Sequence, residues 1–592
     1  MKNSKEYILS INPCTYGLNY HDPSVAIIED GKIIAAIEEE RINGIKGSKG
    51  LFPANAISEC LKLANIDIND IDKIAIPYEP SLLQERFRLE ISDIITKSKL
   101  TNGKFDEYLI LEGIKSSNLV NRYDFFQDKQ KVENLVKTKI DITNVKIEFH
   151  DHHLSHVASA YYASGLKSAT GIVVDGIGET STTTIWKIVD GKFDKILDLK
   201  YPNSLGYFYA LATAFLGFKP WEHEGKLMAL APYGKRNEEL LDRFKSIINF
   251  KNGIYNVSDF ISNNSSGFLM VDIEKSIISL ENILGIPARK NGDEILDVHK
   301  DFAWAVQHLL EKSVTQLVDW GINKTGISNV CVAGGIFMNC KMNMIVRENL
   351  KAINYFVQPL AGDLGLVIGC GLLASKEKNI KEFNSLSFGP SFSDEFVKKE
   401  LDKFGLNYKK STNIEQEVAD LLTKGNIVCW FQGRMEMGAR ALGNRSILAD
   451  PRGPKVSDII NERVKHREIW RPFACSMLDD FADEILLNKK ANKSYPFMIE
   501  AFKVKDEWVE KIPAVIHKAD GTTRPQTVKR VYPRYYNMIK HFYNLTGCPL
   551  VLNTSFNDKG QPIVMTPKLA IEFFIKNDVD ILAIENYIVY KN

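Results

Sequence analysis

The sequence predicts an α/β protein of two domains, the first built on a duplicated sheet unit. Three observations carry that expectation. A chain of 592 residues is too long for one ordinary hydrophobic core. One pattern of strand, polar loop, strand, Asp-Gly turn and strand occurs twice in it. A Ser/Gly/Pro-rich stretch, "SLSFGPSFSDEF", interrupts the α/β pattern near residues 385–396, after which a new helical pattern begins. The expected domains are therefore 1–385 and 393–592.

The elements follow in order. "YILSIN" and "SVAIIEDGKIIAAIEEER" are Ile- and Val-rich strands with a hairpin turn at Asp30-Gly31. "ATGIVVDGIGETSTTTIWKIVDGKFDKILDLKY" repeats that order, with its turn at Asp190-Gly191. The loops after the two first strands, "YGLNYHDPS" and "DGIGETSTT", are rich in Gly and polar residues, as loops that meet phosphates often are. The pairing favours a nucleotide cleft between two halves, as in actin-like and sugar-kinase-like folds. "ISNVCVAGGIFMNCKMN" adds a buried strand, a Gly334-Gly335 turn and a helix opening near Phe337. Small glycines let a backbone approach a ligand, and a helix start favours anionic groups. Gly176, Gly334, Gly335 and Asn339 are the candidate nucleotide-binding residues.

"HDHHLSHVASAYYASG", residues 150–165, holds four of the eleven histidines. His152 and His156 stand four apart, on one face of a helix that follows the strand "VKIEFH". Strand-to-helix junctions are usual places for sites in α/β folds. Asp175 ends the strand "GIVVD", and Asp363 sits in a loop entering a helix. Two histidines and two carboxylates suit Fe(II), Mn(II) or Zn(II). Spacing alone does not bring residues 156, 175 and 363 together.

Between Arg434 and Arg471 there are nine basic against five acidic residues, in a chain otherwise balanced at 75 Lys+Arg and 74 Asp+Glu. Arginine forks pair with phosphates and carboxylates. In "GRMEMGARALGNRS" they alternate with glycines, and "NTSF" supplies short hydrogen-bonding groups. A small anion site is one expectation; a solvated basic face or structural ion pairs is the other.

The near-zero net charge gives no reason to expect a nucleic-acid partner. No apolar run is long enough to span a bilayer, and the start "MKNSKEYILSINPC" is not a convincing signal peptide. Eight scattered cysteines without a CxxC pair argue against disulfides and a thiolate zinc site, so a cytoplasmic protein is expected.

The chain resembles the O-carbamoyltransferases of the NodU/CmcH type, which modify nodulation factors, cephalosporins, novobiocin and tobramycin. The residues that carry the resemblance run in family order: "HDPSVAII", "AAIEEER", "HDHHLSHVASAYYASG", "VVDGIGE", "WEHEGKLMALAPYG", "AGGIFMN", "PLAGDLG", "FQGRMEMGARALGNRSILADPR", "WRPFA", "DGTTRPQ" and "LNTSFN". The resemblance implies an actin-like (ASKHA, sugar-kinase-like) transferase domain followed by a YrdC-like domain. It implies one divalent metal on His152, His156, Asp175 and Asp363, Fe(II) first and Zn(II) or Mn(II) as alternatives. His150 and His153 fall off that pattern and are expected to support the site or the fold. It also implies ATP, with Mg2+, and carbamoyl phosphate as co-substrates. The ligand-binding residues expected in the second domain are Arg434, Arg440, Arg445, Lys465, Arg471, Arg524, Asn553 and Ser555.

The implied reaction has two steps. Carbamoyl phosphate is broken down to carbamate, which attacks the α-phosphate of ATP, giving carbamoyl adenylate and pyrophosphate. Lys465 and Arg471 are the catalytic candidates for this half. A hydroxyl of a small-molecule or glycan acceptor then attacks the adenylate carbonyl, with His21 as candidate general base. The acceptor stays open: an antibiotic, a toxin precursor, a lipo-oligosaccharide or a surface sugar. A homodimer is compatible with this. The first loop, "NPCTYGLNYHDPS", is longer than the resemblance leads one to expect, and the stretch from "YEPSLLQERFRLE" to "YDFFQDKQKVENL" reads helical and could cover the acceptor site.

Two alternatives remain. One is another carbamoyl-type enzyme, a threonylcarbamoyl transferase acting on tRNA or a hydrogenase-maturation enzyme, though the latter would need CxxC zinc elements. The other is a non-enzymatic actin-like nucleotide-sensing protein, which would not need the Arg/Gly segment.

Overall fold

The computed structural model describes residues 5–14, 21–86, 88, 129–267, 270–350, 354–378, 380–490 and 493–591. Part of the first loop and most of the stretch expected to cover the acceptor site lie outside the described residues. The chain forms two compact units, one of residues 1–34 and 50–382, the other of 35–49 and 383–592. It therefore passes between units at three places. No helix among the described residues is long and apolar enough to cross a membrane.

The first unit is a mixed α/β body with two five-stranded sheets. Strands β1 (Tyr7–Asn12), β2 (Ser24–Glu29), β3 (Lys32–Glu38), β4 (Lys73–Ile76) and β5 (Lys146–Phe149) lie in the order β3-β2-β1-β4-β5, with β3 from residue 35 onward grouped with the second unit. β1 pairs antiparallel to β2 and parallel to β4, and β4 runs parallel to β5. The second sheet holds β6 (Ser168–Val174), β7 (Ser181–Val189), β8 (Lys192–Lys200), β9 (Asn329–Ala333) and β10 (Asn354–Val357), in the order β8-β7-β6-β9-β10. β6 is antiparallel to β7 and parallel to β9, which is parallel to β10. The two sheets thus share one strand order, as the repeat in the sequence leads one to expect. Asp30-Gly31 and Asp190-Gly191 take positive φ at both residues, the two-residue turn that matches strand twist.

Helix α1 (His152–Ser164) is buried along almost its whole length. Its neighbours in the unit include α2 (Asp297–Thr325), α3 (Cys340–Asn349) and α4 (Leu366–Ala374). α4 packs against α1, and Gly369 permits the approach. A Cβ there would lie 1.9 Å from the Ser155 carbonyl oxygen.

The second unit centres on one eight-stranded mixed sheet. Its strands are β11 (Tyr408–Lys410), β12 (Val428–Phe431), β13 (Arg445–Ala449), β14 (Ala474–Leu478), β15 (Pro525–Val528), β16 (Leu550–Ser555), β17 (Ile581–Ile584) and β18 (Tyr587–Tyr590). They lie in the order β11-β18-β17-β12-β13-β16-β14-β15. Four central strands, β12, β13, β14 and β17, are buried at every position, so they read as apolar runs without alternation. Trp430 is fully buried, and its indole N–H donates to the Gly443 carbonyl at 2.9 Å. The early segment is tied in by Glu38, whose carboxylate accepts the Gly438 N–H at 2.6 Å, and by Arg41, which donates to the Gly438 carbonyl.

Candidate metal centre and anion site

The local sequence explains how the histidines are aimed. β5 ends at Phe149, and the Asp151 carboxylate caps α1 by accepting the Leu154 N–H at 2.7 Å. His152 and His156 then share one face of the first turns, with ring centroids 4.7 Å apart. β6 ends at Val174 and delivers Asp175. Gly334, at φ 100°, lets β9's turn lie against Val174, where a Cβ would come within 2.3 Å of the carbonyl oxygen. The Gly335 N–H donates to Asp175 Oδ1 at 2.9 Å and fixes that carboxylate. Asp363 opens the turn into α4, which the Gly369 contact holds on α1.

One ligand atom from each of His152, His156, Asp175 and Asp363 lies within 4.8 Å of all the others. His152 Nε2 is 3.3 Å from Asp175 Oδ2 and 3.7 Å from Asp363 Oδ1. His156 Nε2 is 3.9 and 3.4 Å from the same oxygens. All four residues are buried. Both ring nitrogens of His156 and Nδ1 of His152 are buried without a hydrogen-bond partner. A buried polar atom left unpaired costs stability, so His156 Nε2, unpaired beside two carboxylates, fits a bound divalent cation. Two nitrogens and two oxygens suit a borderline metal.

The electrostatics agree. Burial opposes charge on His152, but Asp363 and Asp175 outweigh it and raise its pKa to about 9. Burial pushes the Asp363 carboxyl up, yet the His152 charge and the His156 ring 3.4 Å away leave it lowered. His153 is kept neutral by burial and by His152, and its Nδ1 bonds Thr184 Oγ1 at 3.0 Å. His150 faces Glu148 at 3.9 Å. Neither joins the four. Glu179 escaped the sequence reading. Its buried carboxylate accepts the backbone N–H of His152 at 3.2 Å and of Glu79 at 2.9 Å, so it steadies the start of α1. Burial and Asp151 raise its pKa to about 7.

His21 Nδ1 lies 3.0 Å from Asp22 Oδ2. Desolvation opposes charge on this ring, but the bond to Asp22 and the field of Asp363 raise its pKa to about 9. It belongs electrostatically to the same site. Among the nucleotide candidates, Gly334 and Gly335 bound the turn over Asp175, and the Gly176 carbonyl accepts from Ser204 at 2.7 Å. Asn339 departs from its expected role. The residues Gly335–Met338 form a single 3₁₀ turn, the helix opens at Cys340, and Asn339 caps it through the Met342 N–H at 2.9 Å. Its amide nitrogen donates to Gln307 at 2.9 Å. That side chain is engaged by the fold.

In the second unit the basic segment sorts into two kinds. Arg445 is fully buried and donates to the carbonyls of Gln432, Gly433 and Asn444 at 2.9–3.2 Å, with its guanidinium 3.6 Å from the Phe431 ring centroid. Arg434 donates to the Gly389 and Phe388 carbonyls. These two brace the chain itself through those carbonyls. The sequence cannot tell an arginine that meets phosphate from one that meets carbonyls. Arg440 is half-buried on the same glycine-rich loop. Asn553 donates to the Ala441 carbonyl and to Ser476, while its carbonyl oxygen is buried without a partner.

The other kind gathers around Lys465. A π-turn over Asn461–Lys465 follows a short α-helix and turns this lysine inward. Its ammonium donates to the Ser555 carbonyl at 2.5 Å, to the Asn557 carbonyl at 2.9 Å and to the Asn557 side chain at 3.1 Å. Burial, then Arg467, lower its pKa to about 7. Burial, then Arg471 and Arg524, lower that of Arg467 to about 9. Arg471 is likewise lowered by burial, with Glu468 opposing and Arg524 adding. Arg524 itself makes no hydrogen bond among the described residues. Lys465, Arg467 and Arg471 are thus crowded cations with Arg524 beside them, an arrangement that would favour an anion. Arg467 was not among the expected ligand residues, although it sits in the same basic run.

Comparison with known proteins gives the family. Residues 14–372 match the family model described as carbamoyltransferase N-terminus, and residues 419–591 match that described as carbamoyltransferase C-terminus. The chain is 30% identical over 617 residues to an uncharacterized protein of Synechocystis sp., covering 97% of this chain and 95% of the other. It is 31% identical over 581 residues to nodulation protein NolNO of Sinorhizobium fredii, covering 96% and 79%. Among solved structures, component A of the (R)-2-hydroxyglutaryl-CoA dehydratase of Acidaminococcus fermentans aligns over 63% of this chain and 99% of its own, with 16% identity and a TM-score of 0.32. With both family models matched in order along its length, the chain belongs to the carbamoyltransferase family.

Proposed function

We propose that this carbamoyltransferase is ATP-dependent and works in two steps on one chain. The cluster of Lys465, Arg467, Arg471 and Arg524 carries the proposal. Crowded cations of which one lacks a partner suit a small, highly charged ligand, and carbamoyl phosphate and ATP are such ligands. In this unit, taken as YrdC-like, carbamoyl phosphate reacts with water to give carbamate and phosphate. A carbamate oxygen then attacks the α-phosphate of ATP, which arrives with Mg2+, and pyrophosphate leaves. Lys465 and Arg471 stabilise the negative charge that gathers on the transferred and leaving oxygens.

The second step belongs to the first unit, taken as actin-like. The acceptor is a hydroxyl of a small natural product or glycan. Its oxygen attacks the carbonyl carbon of carbamoyl adenylate, its proton passes to His21 Nε2, and AMP leaves with the C–O bond electrons. Asp22, bonded at Nδ1, orients the imidazole so that Nε2 faces outward from the pair. His152, His156, Asp175 and Asp363 would hold a divalent metal, Fe(II) by resemblance with Zn(II) or Mn(II) as alternatives. When bound, the metal supplies Lewis-acid polarisation and charge neutralisation beside the adenylate phosphate. Offsetting the charge of Asp363 also removes part of the field that holds a proton on His21. Gly334 and Gly335 carry no side chain to obstruct the nucleotide.

The test is a screen of hydroxyl-bearing metabolites with ATP and carbamoyl phosphate, read by mass spectrometry. Carbamoylated product, dependent on both co-substrates, supports the proposal. Transfer that proceeds from carbamoyl phosphate without ATP would overturn it.

A further inference from the structure

One side chain in the metal centre has no assigned task. Tyr78 follows β4 and is 4% exposed. Its ring packs against the His152 imidazole, with centroids 5.1 Å apart and planes at 50°. Its hydroxyl makes no hydrogen bond among the described residues. Buried tyrosine hydroxyls normally find a partner. The charges that act on this phenol name its surroundings: Asp363 first among them, then Cys14, Glu179 and Asp175. Asp363 and Asp175 also act on His21. The same two carboxylates thus act on both Tyr78 and His21. A tyrosine phenol has an ordinary pKa of about 10, so near neutral pH it is a hydrogen-bond donor.

We propose that the Tyr78 hydroxyl donates a hydrogen bond to the carbonyl oxygen of the transferred carbamoyl group, stabilising the oxyanion formed when the acceptor attacks. The proposal rests on the two-step route above. In that step the acceptor oxygen bonds to the carbonyl carbon, and the acceptor proton goes to His21. The carbonyl π pair moves onto oxygen, where the Tyr78 O–H meets it. Collapse restores the carbonyl and expels AMP. The proton on Tyr78 is not transferred, so no further reactant is needed. A hydroxyl with no hydrogen bond among the described residues, on a ring held against His152, is the arrangement such stabilisation requires. In the sequence Tyr78 opens "YEPSLLQERFRLE", the stretch expected to cover the acceptor site, but no motif marks its hydroxyl.

Tyr78→Phe removes only the oxygen and keeps the ring on His152. Three quantities are measured on the full-length protein: metal content, acceptor-free pyrophosphate release, and single-turnover transfer from preformed carbamoyl adenylate at saturating acceptor. Loss of one oxyanion donor lowers rates by roughly a hundredfold or more. The expected result is such a drop in transfer, with metal content, pyrophosphate release and acceptor KM unchanged. Transfer within about threefold of wild type would overturn the proposal, since a donor to the oxyanion is worth far more. Loss of metal in the variant would overturn it too, by making Tyr78 a support for His152. If the wild-type protein makes adenylate but transfers nothing to any hydroxyl, the two-step route fails and the Tyr78 role with it.

Discussion

Arg524→Ala separates ligand binding from folding more cleanly than any other change in the second unit. Arg524 is half-buried and donates to nothing among the described residues, so truncation orphans no acceptor. It acts on Arg467 and Arg471 only by repulsion. Removing it relieves that repulsion, and the melting temperature should hold or rise slightly. Its benefit appears only when an anion is bound. A hydrogen bond to a charged group contributes about 1.5–3 kcal/mol net, which is roughly 10- to 150-fold in affinity. The assay is calorimetric titration with carbamoyl phosphate and with inorganic phosphate, alongside thermal unfolding. Arg445→Ala is the contrast, because it takes the donor from the Gln432 and Gly433 carbonyls and should lower stability by several kcal/mol. If Arg524→Ala melts much earlier while anion affinity stays within about twofold, well short of a charged hydrogen bond, the cluster is a structural device and not a binding site.

Other outcomes follow from the same geometry. His156→Ala should abolish stoichiometric metal binding, read by metal analysis, while acceptor-free pyrophosphate release persists. The pH dependence of anion binding should track Lys465. Its folded pKa, about 7, lies below the unfolded lysine value, so the unfolded chain holds more protons between the two and stability gains from this group as pH rises through that window. Anion binding favours the charged lysine and takes up protons, so phosphate affinity should fall as pH climbs from about 7 to 9, and Lys465→Met should flatten that fall. His21→Asn keeps size and hydrogen bonding but cannot accept a proton, so single-turnover transfer should drop roughly a hundred- to ten-thousandfold with adenylate formation intact.

Local signals served the sequence reading well wherever chemistry is local. Asp-Gly turns at 30–31 and 190–191 are dictated by backbone conformation at two residues, and both occur. The four-residue spacing of His152 and His156 and the cap at Asp151 are also local. Joining them to Asp175 and Asp363 required the family resemblance, since that meeting depends on Gly334 and Gly369, whose missing side chains let strand and helix close. Partners supplied by distant backbone were not legible. Arg434, Arg445 and Asn339 look like ligand groups in the sequence, yet they are spent on carbonyls and a helix cap. The grouping of residues 35–49 with the second unit was hidden for a similar reason. Glu38 and Arg41 look like surface charges but are buried against Gly438.

The most direct test of the two-step account is the reaction run without any acceptor. Wild-type protein, ATP and carbamoyl phosphate are mixed, quenched and analysed for nucleotide products. The account predicts pyrophosphate and carbamoyl adenylate, both unaffected by His152→Ala and both reduced by Lys465→Ala or Arg471→Ala. ADP in place of pyrophosphate, or adenylate formation that vanishes with His152, would contradict it.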